Sequence, residues 1–176
     1  VAGVLLVKTL RRLPACGPVL AAALLLGACA ATPVLDPAGT DPALTPQGAA
    51  ARADPPIGRR VLWGGGIVAS VNRAQVTEVE VIAYPLAASQ RPDDRAAPLG
   101  RFVLVWPGYL ETVDYAPGRR VTARGTLREV RPGKVGQAGY RYPVIEAEAV
   151  HLWPPGDTGG WSSLPIQLGI GIWIGN

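Results

Sequence analysis

The sequence predicts an all-β fold, a small OB-like antiparallel barrel of five to six strands preceded by a signal peptide and a disordered tether. Three observations point there. Five β-rich runs follow one another between Arg60 and Trp153, separated by clusters of Gly, Pro and Asp. In the clearest of them, residues 119–129, Val121, Ala123, Gly125 and Leu127 alternate with Arg120, Thr122, Arg124, Thr126 and Arg128, the period of a strand with one apolar face. Between the runs, only residues 109–118 offer room for a short helical turn. An open sandwich fits the same runs, but closing the sheet removes edge strands that invite aggregation, and small Ala123 and Gly125 suit a tight barrel interior.

Ahead of the strands, residues 1–28 read as a lipoprotein signal peptide. Lys8, Arg11 and Arg12 form a basic leader, an apolar run ends in Leu24-Leu25-Leu26, and small Gly27 and Ala28 precede Cys29. Small side chains let a protease grip extended backbone, so cleavage is expected between Ala28 and Cys29, with the Cys29 thiol carrying a diacylglycerol. A transmembrane span competes with this reading. Residues 13–28, however, hold Pro14 and Pro18 and fall short of the roughly 18 apolar residues that spanning requires. Cys16 fails as a rival lipidation site, because Pro14 and the charges before it leave no uninterrupted apolar stretch. Residues 29–58 then comprise the lipidated Cys29 and a Pro/Ala-rich tether, without an aromatic side chain or a sustained period to drive folding. Extended at roughly 3.1 Å per residue, this tether would hold the domain several tens of ångströms from its lipid.

The barrel domain is expected over residues 59–154. Its first strand, 60–71, carries Gly64-Gly65-Gly66, which mark a bulge or sharp bend. In the second, 76–84, Val79, Val81 and Ala83 face one way and Glu78 and Glu80 the other. Residues 85–100 form a long polar loop whose Asp93-Asp94 pair is better explained by solvation than by a cation. The third strand is 101–106, residues 130–139 read as a turn-rich loop, and 140–153 is the last core strand, with Ile145, Ala147 and Ala149 opposite Glu146 and Glu148. If the last two strands are neighbours, Arg120, Arg124 and Arg128 meet Glu146 and Glu148 across the sheet, each exposed pair worth about 0.2–1 kcal/mol. Residues 155–176 form a Gly/Ile-rich tail in which Leu168, Ile170, Ile172 and Ile174 alternate with Gly169, Gly171 and Trp173. That pattern suits an extra strand laid on the domain, or a membrane-facing or partner-docking segment. A lone strand cannot span a bilayer, because its backbone groups would lack partners.

Composition narrows the chemistry. Three of the charges behind the formal net +4 belong to the leader, so the mature chain is nearly neutral and the pI of 9.4 is poor evidence for a nucleic-acid partner. With Cys16 in the leader and Cys29 lipidated, no thiol remains for a disulfide, a metal or a nucleophile. His151 is the single histidine and suits packing better than catalysis, and no GxSxG occurs. Glu78 with Glu80, and Glu146 with Glu148, imitate a glycosidase pair but are explained as wet strand faces. Gly133-Lys134-Val135 lacks the spacing of a phosphate loop. The expected sites are therefore few: no catalytic residue, no cofactor and no metal. The basic and aromatic set of Arg120, Arg124, Arg128, Tyr140 and Tyr142 is the candidate binding surface.

Several short motifs occur in order: Trp63-Gly64-Gly65, Glu78-Val79, Tyr84-Pro85-Leu86, Gly100-Arg101-Phe102, Gly108-Tyr109-Leu110, Asp114-Tyr115-Ala116-Pro117-Gly118-Arg119, Val121-Thr122 with Gly125, Lys134-Val135-Gly136, Tyr142-Pro143-Val144 and His151-Leu152-Trp153-Pro154. Together with the Cys29 signal, this series resembles the Slp family of starvation-inducible outer-membrane lipoproteins of Gram-negative bacteria. The resemblance implies a periplasm-facing lipoprotein of the outer membrane, linked to stationary-phase or stress physiology and without established enzymatic activity. Ala30 follows the cysteine where aspartate would signal inner-membrane retention, which fits that location. The expected partners are membrane lipid, through acylated Cys29, and an envelope protein or glycan, but no nucleic acid. An envelope enzyme or glycan-binding module acting on peptidoglycan or lipopolysaccharide is the alternative.

Overall fold

A computed structural model describes residues 32–155 of the chain. Five strands, β1 (Arg60–Asn72), β2 (Val76–Ala83), β3 (Arg101–Pro107), β4 (Arg120–Val135) and β5 (Ala138–Leu152), close into a barrel in the order β1-β2-β3-β5-β4. The expected small all-β barrel is what forms. Its seams are antiparallel except one: β3 and β5 run parallel, through Val103–Val144, Leu104–Ile145 and Val105–Glu146. Strict alternation of direction cannot be kept around a ring of five, so one parallel seam is required.

The alternation read in the sequence sets which side chains face inward. Val79, Val81 and Ala83 of β2, Phe102 and Leu104 of β3, and Val121, Ala123 and Leu127 of β4 are all essentially inaccessible to solvent. Trp63 packs edge-on against Phe102 with ring centroids 5.3 Å apart. The triple glycine bends β1 so that it serves two partners. Gly65 pairs with Ala83 of β2 and also with Val121 of β4. The register slips once more between Ile67 and Ala69, a bulge just beyond the glycines.

One expectation about loops is corrected and another is met. Residues 130–139 are the ends of β4 and β5, not a loop; the strands stay paired from Val130–Pro143 out to Val135–Ala138, around a two-residue turn. Gly136 takes φ +59° at its first position, the conformation that a tight hairpin turn demands there. Gly133 looks like a turn residue but lies inside the arm, where a Cβ would come within 2.9 Å of the Tyr142 ring. Between β3 and β4, the connection holds a single helical turn, with the Tyr115 amide bonded to the Glu111 carbonyl at 3.1 Å.

The expected free tether over 29–58 is also corrected for its described part. Residues 32–58 lie against the barrel and include a helix, α1 (Pro46–Ala51), capped by the Thr45 hydroxyl, which accepts from the Gly48 amide at 3.0 Å. Leu44 and Ala49 join the core. The Leu44 carbonyl accepts from the buried Trp63 indole at 2.7 Å, and the Gln47 amide donates to the Leu99 carbonyl at 2.9 Å. The physical reason is that the buried Trp63 N–H needs an acceptor, which this segment provides. The leader and the Gly/Ile tail beyond Pro155 lie outside the described residues. Leu44→Ala is expected to lower the stability of the barrel by about 3 kcal/mol in urea titration, because a packed leucine is removed; a free tether would give no measurable change.

Candidate functional site

The charged face of β4 is built as its alternation requires. Arg128 Nε lies 2.7 Å from Glu146 Oε2, and Arg124 Nε lies 3.5 Å from Glu148 Oε2, so two of the three expected cross-strand pairs form. Glu148 also takes Arg60 at 3.2 Å and the Thr126 hydroxyl at 3.1 Å. Arg120 goes elsewhere, to Asp94 at the tip of the loop between β2 and β3. That aspartate is therefore not a solvated charge. The Arg120 and Asp94 side chains are 11% and 9% exposed, against 57% and 49% for Arg128 and Glu146.

Gln90 explains how the loop is held. It is buried with φ +66°, and its side-chain amide spans the backbone of Leu35, accepting from the Leu35 amide at 2.8 Å and donating to its carbonyl at 2.7 Å. The Gln90 carbonyl accepts from the buried Thr122 hydroxyl at 2.8 Å, and that hydroxyl accepts in turn from the Trp153 indole at 3.0 Å. Arg91 sits over the Trp153 ring at 5.3 Å, and His151 packs edge-on against it at 4.5 Å. His151 is thus in the packing role that its position predicted.

Tyr140 and Tyr142 serve a different surface, the outer face of β2 and β3. The β4–β5 arm curls over this face. Arg131 pairs with Glu78 at 3.0 Å, while the Tyr142 hydroxyl is within hydrogen-bond reach of Glu80 (3.1 Å) and the Lys134 carbonyl (3.0 Å). Glu80 also takes Arg101 at 2.7 Å, and the Tyr140 hydroxyl accepts from the Arg101 amide at 2.7 Å. The two rings meet edge-on at 4.8 Å. Burial, aided by the negative charge of Glu80, pushes the Tyr142 phenol well above its ordinary 10.0. The five residues singled out from sequence therefore divide between two settings, the arginines on Glu146, Glu148 and Asp94, the tyrosines on Glu80 and Arg101. What the sequence does not reveal is a groove of about 230 Å³ near the root of the arm. Val76, Val105, Pro107 and Val144 give it an apolar floor, and Arg128, Glu129, Arg131 and Glu146 give it a charged rim. Arg128 is the residue common to the predicted set and to this groove.

The model of the outer membrane lipoprotein Slp family matches residues 26–163, which takes in Cys29 and the whole barrel. The chain belongs to the Slp family. It is 25% identical over 137 residues to the outer membrane protein Slp of Escherichia coli K12, covering 77% of this chain and 72% of that one. It is 30% identical over 97 residues to the E. coli lipoprotein YeaY, covering 55% of this chain and 50% of the relative. An uncharacterized protein of Haemophilus influenzae is 32% identical over 96 residues, covering 54% and 52%. The matched stretch thus spans about half the length of the latter two. A small single-stranded DNA-binding protein of Streptomyces coelicolor is 17% identical with a TM-score of 0.35, covering 54% of this chain and 94% of its own, a likeness too distant to bear on function. This Slp-family chain is an outer-membrane lipoprotein.

Arg120→Ala is expected to cost about 3 kcal/mol in urea unfolding, because it strands the enclosed Asp94 carboxylate. Arg128→Ala should stay within about 0.5 kcal/mol. The raised Tyr142 phenol sets a pH dependence. Its contribution is fully present below the unfolded value of about 10 and is lost as pH rises from there toward the folded value. Thermal melts between pH 9 and 12 should accordingly fall less steeply for Tyr142→Phe than for the parent chain.

Proposed function

We propose that this Slp-family lipoprotein is a non-enzymatic component of the cell envelope, held at the periplasmic face of the outer membrane by acylated Cys29. Its barrel braces or binds another envelope component, a protein or a glycan, in stationary phase or under stress. One observation carries the non-enzymatic reading: Glu78, Glu80, Glu146 and Glu148, the four glutamates that imitate catalytic pairs, are all engaged in holding strands together. Glu78 is paired with Arg73 and Arg131, Glu80 with Arg101, Glu146 with Arg128, and Glu148 with Arg60 and Arg124. A carboxylate locked to a guanidinium is a poor proton shuttle, whereas it is well suited to fixing strand register. The groove beside the arm, with its apolar floor and charged rim, suits a partner that is itself partly apolar.

Growing cells labelled with radioactive palmitate test the anchor. The parent chain should take up label and fractionate with outer membranes, and Cys29→Ser should do neither; an unchanged pattern would remove the anchor from the account. Neutralising Glu78, Glu80, Glu146, Glu148 and His151 one at a time should leave any envelope phenotype largely intact. Complete loss from one folded variant would instead identify a catalytic group and favour an enzyme of peptidoglycan or lipopolysaccharide.

A further inference from the structure

The groove near the root of the arm leads onto the β3–β4 connection. Pro107 lines the groove, and the chain beyond it is pinned at two points: the Gly108 amide donates to the Gln75 carbonyl at 2.9 Å, and the Leu110 amide to the Thr77 hydroxyl at 2.9 Å. Gln75 and Thr77 flank Val76, which also lines the groove, so the backbone of Tyr109 is fixed beside it. Tyr109 is 67% exposed, and Val113, in the helical turn that follows, is 77% exposed. They are the two most exposed large hydrophobic side chains among the described residues. Apolar side chains held in water by pinned backbone, next to an apolar floor, mark a contact surface.

Charge distinguishes the two ends of this surface. At the arm end the rim is neutralised: Arg128 lies 2.7 Å from Glu146, and Arg131 lies 3.0 Å from both Glu129 and Glu78. At the Tyr109 end it is not. The connection over residues 108–118 carries Glu111 and Asp114 and no basic residue, and neither acid has an ion-pair partner among the described residues. Arg73, in the neighbouring β1–β2 turn, is taken by Glu78. Both Glu111 oxygens stand instead 3.3 Å from the Tyr109 hydroxyl. A carboxylate held against an exposed aromatic side chain is a seat for a cation, which the carboxylate attracts by charge and the ring by its quadrupole.

We infer, on the binding role proposed above, that this face docks a protein segment rather than a glycan, one that presents an aliphatic side chain to the groove and a lysine or arginine to Glu111. Size decides first. A cavity of about 230 Å³ is smaller than the roughly 300–1,000 Å³ of sites that enclose a small molecule, but it is ample for an anchoring side chain. Chemistry agrees. Sugar hydroxyls need open donors and acceptors, whereas the floor is aliphatic and the rim guanidiniums and carboxylates already hold one another. An apolar centre inside a polar rim that includes arginine is the composition of a protein interface.

Short fluorescent peptides titrated onto the full lipoprotein in phosphatidylcholine nanodiscs, with empty discs as the reference, test this. A peptide of leucine and lysine should bind about ten-fold more tightly than one of alanine and lysine, which keeps only the charge, or one of leucine and glutamate, which keeps only the apolar side chains. Val105→Asp, Tyr109→Ala and Glu111→Lys should each remove that preference. Because Val105→Asp can disturb the sheet, the exposed Tyr109→Ala and Glu111→Lys give an independent reading. Equal affinity for the leucine–lysine and alanine–lysine peptides, or binding unchanged by Tyr109→Ala and Glu111→Lys, would overturn the inference. So would soluble muropeptides that bind the parent chain and are weakened by Tyr109→Ala, since the face would then serve a glycan while the wider binding role stood. Failure of the palmitate test would undo the anchored role and leave these affinities unchanged.

Discussion

At Gly65 the backbone of β1 is paired on both sides, with β2 through Ala83 and with β4 through Val121, and a Cβ there would lie 1.8 Å from the Ile82 carbonyl oxygen. No side chain fits such an approach, so the sharp turn of β1 and the closure of the ring depend on glycine at this point. A second close approach occurs across the ring, where a Cβ on Gly125 would stand 2.3 Å from the Glu146 carbonyl oxygen. These contacts give the barrel a narrow bore. The bore is filled by Trp63 against Phe102, by Ile67, Leu104, Leu127 and Ile145, and by valines and alanines between them. On the outer face the charged rows are tied off in pairs.

The ends of such a barrel have to be covered by chain that is not strand. At one end α1 and the residues before it supply Leu44, Ala49 and the acceptor for the Trp63 indole. At the other, Thr77 is buried and its hydroxyl accepts from the Leu110 amide at 2.9 Å, holding down the β3–β4 connection. Along the side of β4, Gln90 links the loop after β2 to the N-terminal segment and to Thr122. Each device satisfies a buried polar group while it covers apolar surface, which is why these segments are ordered although α1 is the one regular element among them.

What was legible in the sequence follows from this division. The strands were readable because one face of each is buried, and period-two alternation such as Val79, Glu80, Val81 is the direct record of that. The Arg128–Glu146 and Arg124–Glu148 pairs followed from the same parity. The covering segments were not readable, because their reasons lie far away in the chain. Thr45-Pro46 is a fair helix start, but α1 has only six residues, and its stretch looks like linker until the Trp63 indole is seen to need Leu44. Nothing local marks Gln90 as buried, and Asp94 looked solvated because its partner, Arg120, sits across the fold. Pro132 and Gly133 disguised the arm as a turn, whereas Gly133 is there to leave space for the Tyr142 ring.

The two hydrogen bonds between Gln90 and the Leu35 backbone have a mechanical consequence. They fix the backbone at Leu35 against the loop that carries Arg91 and Asp94, so a pull on the chain ahead of that point is borne by the flank of β4, through Gln90 and Thr122, and not by α1 and the core beneath it.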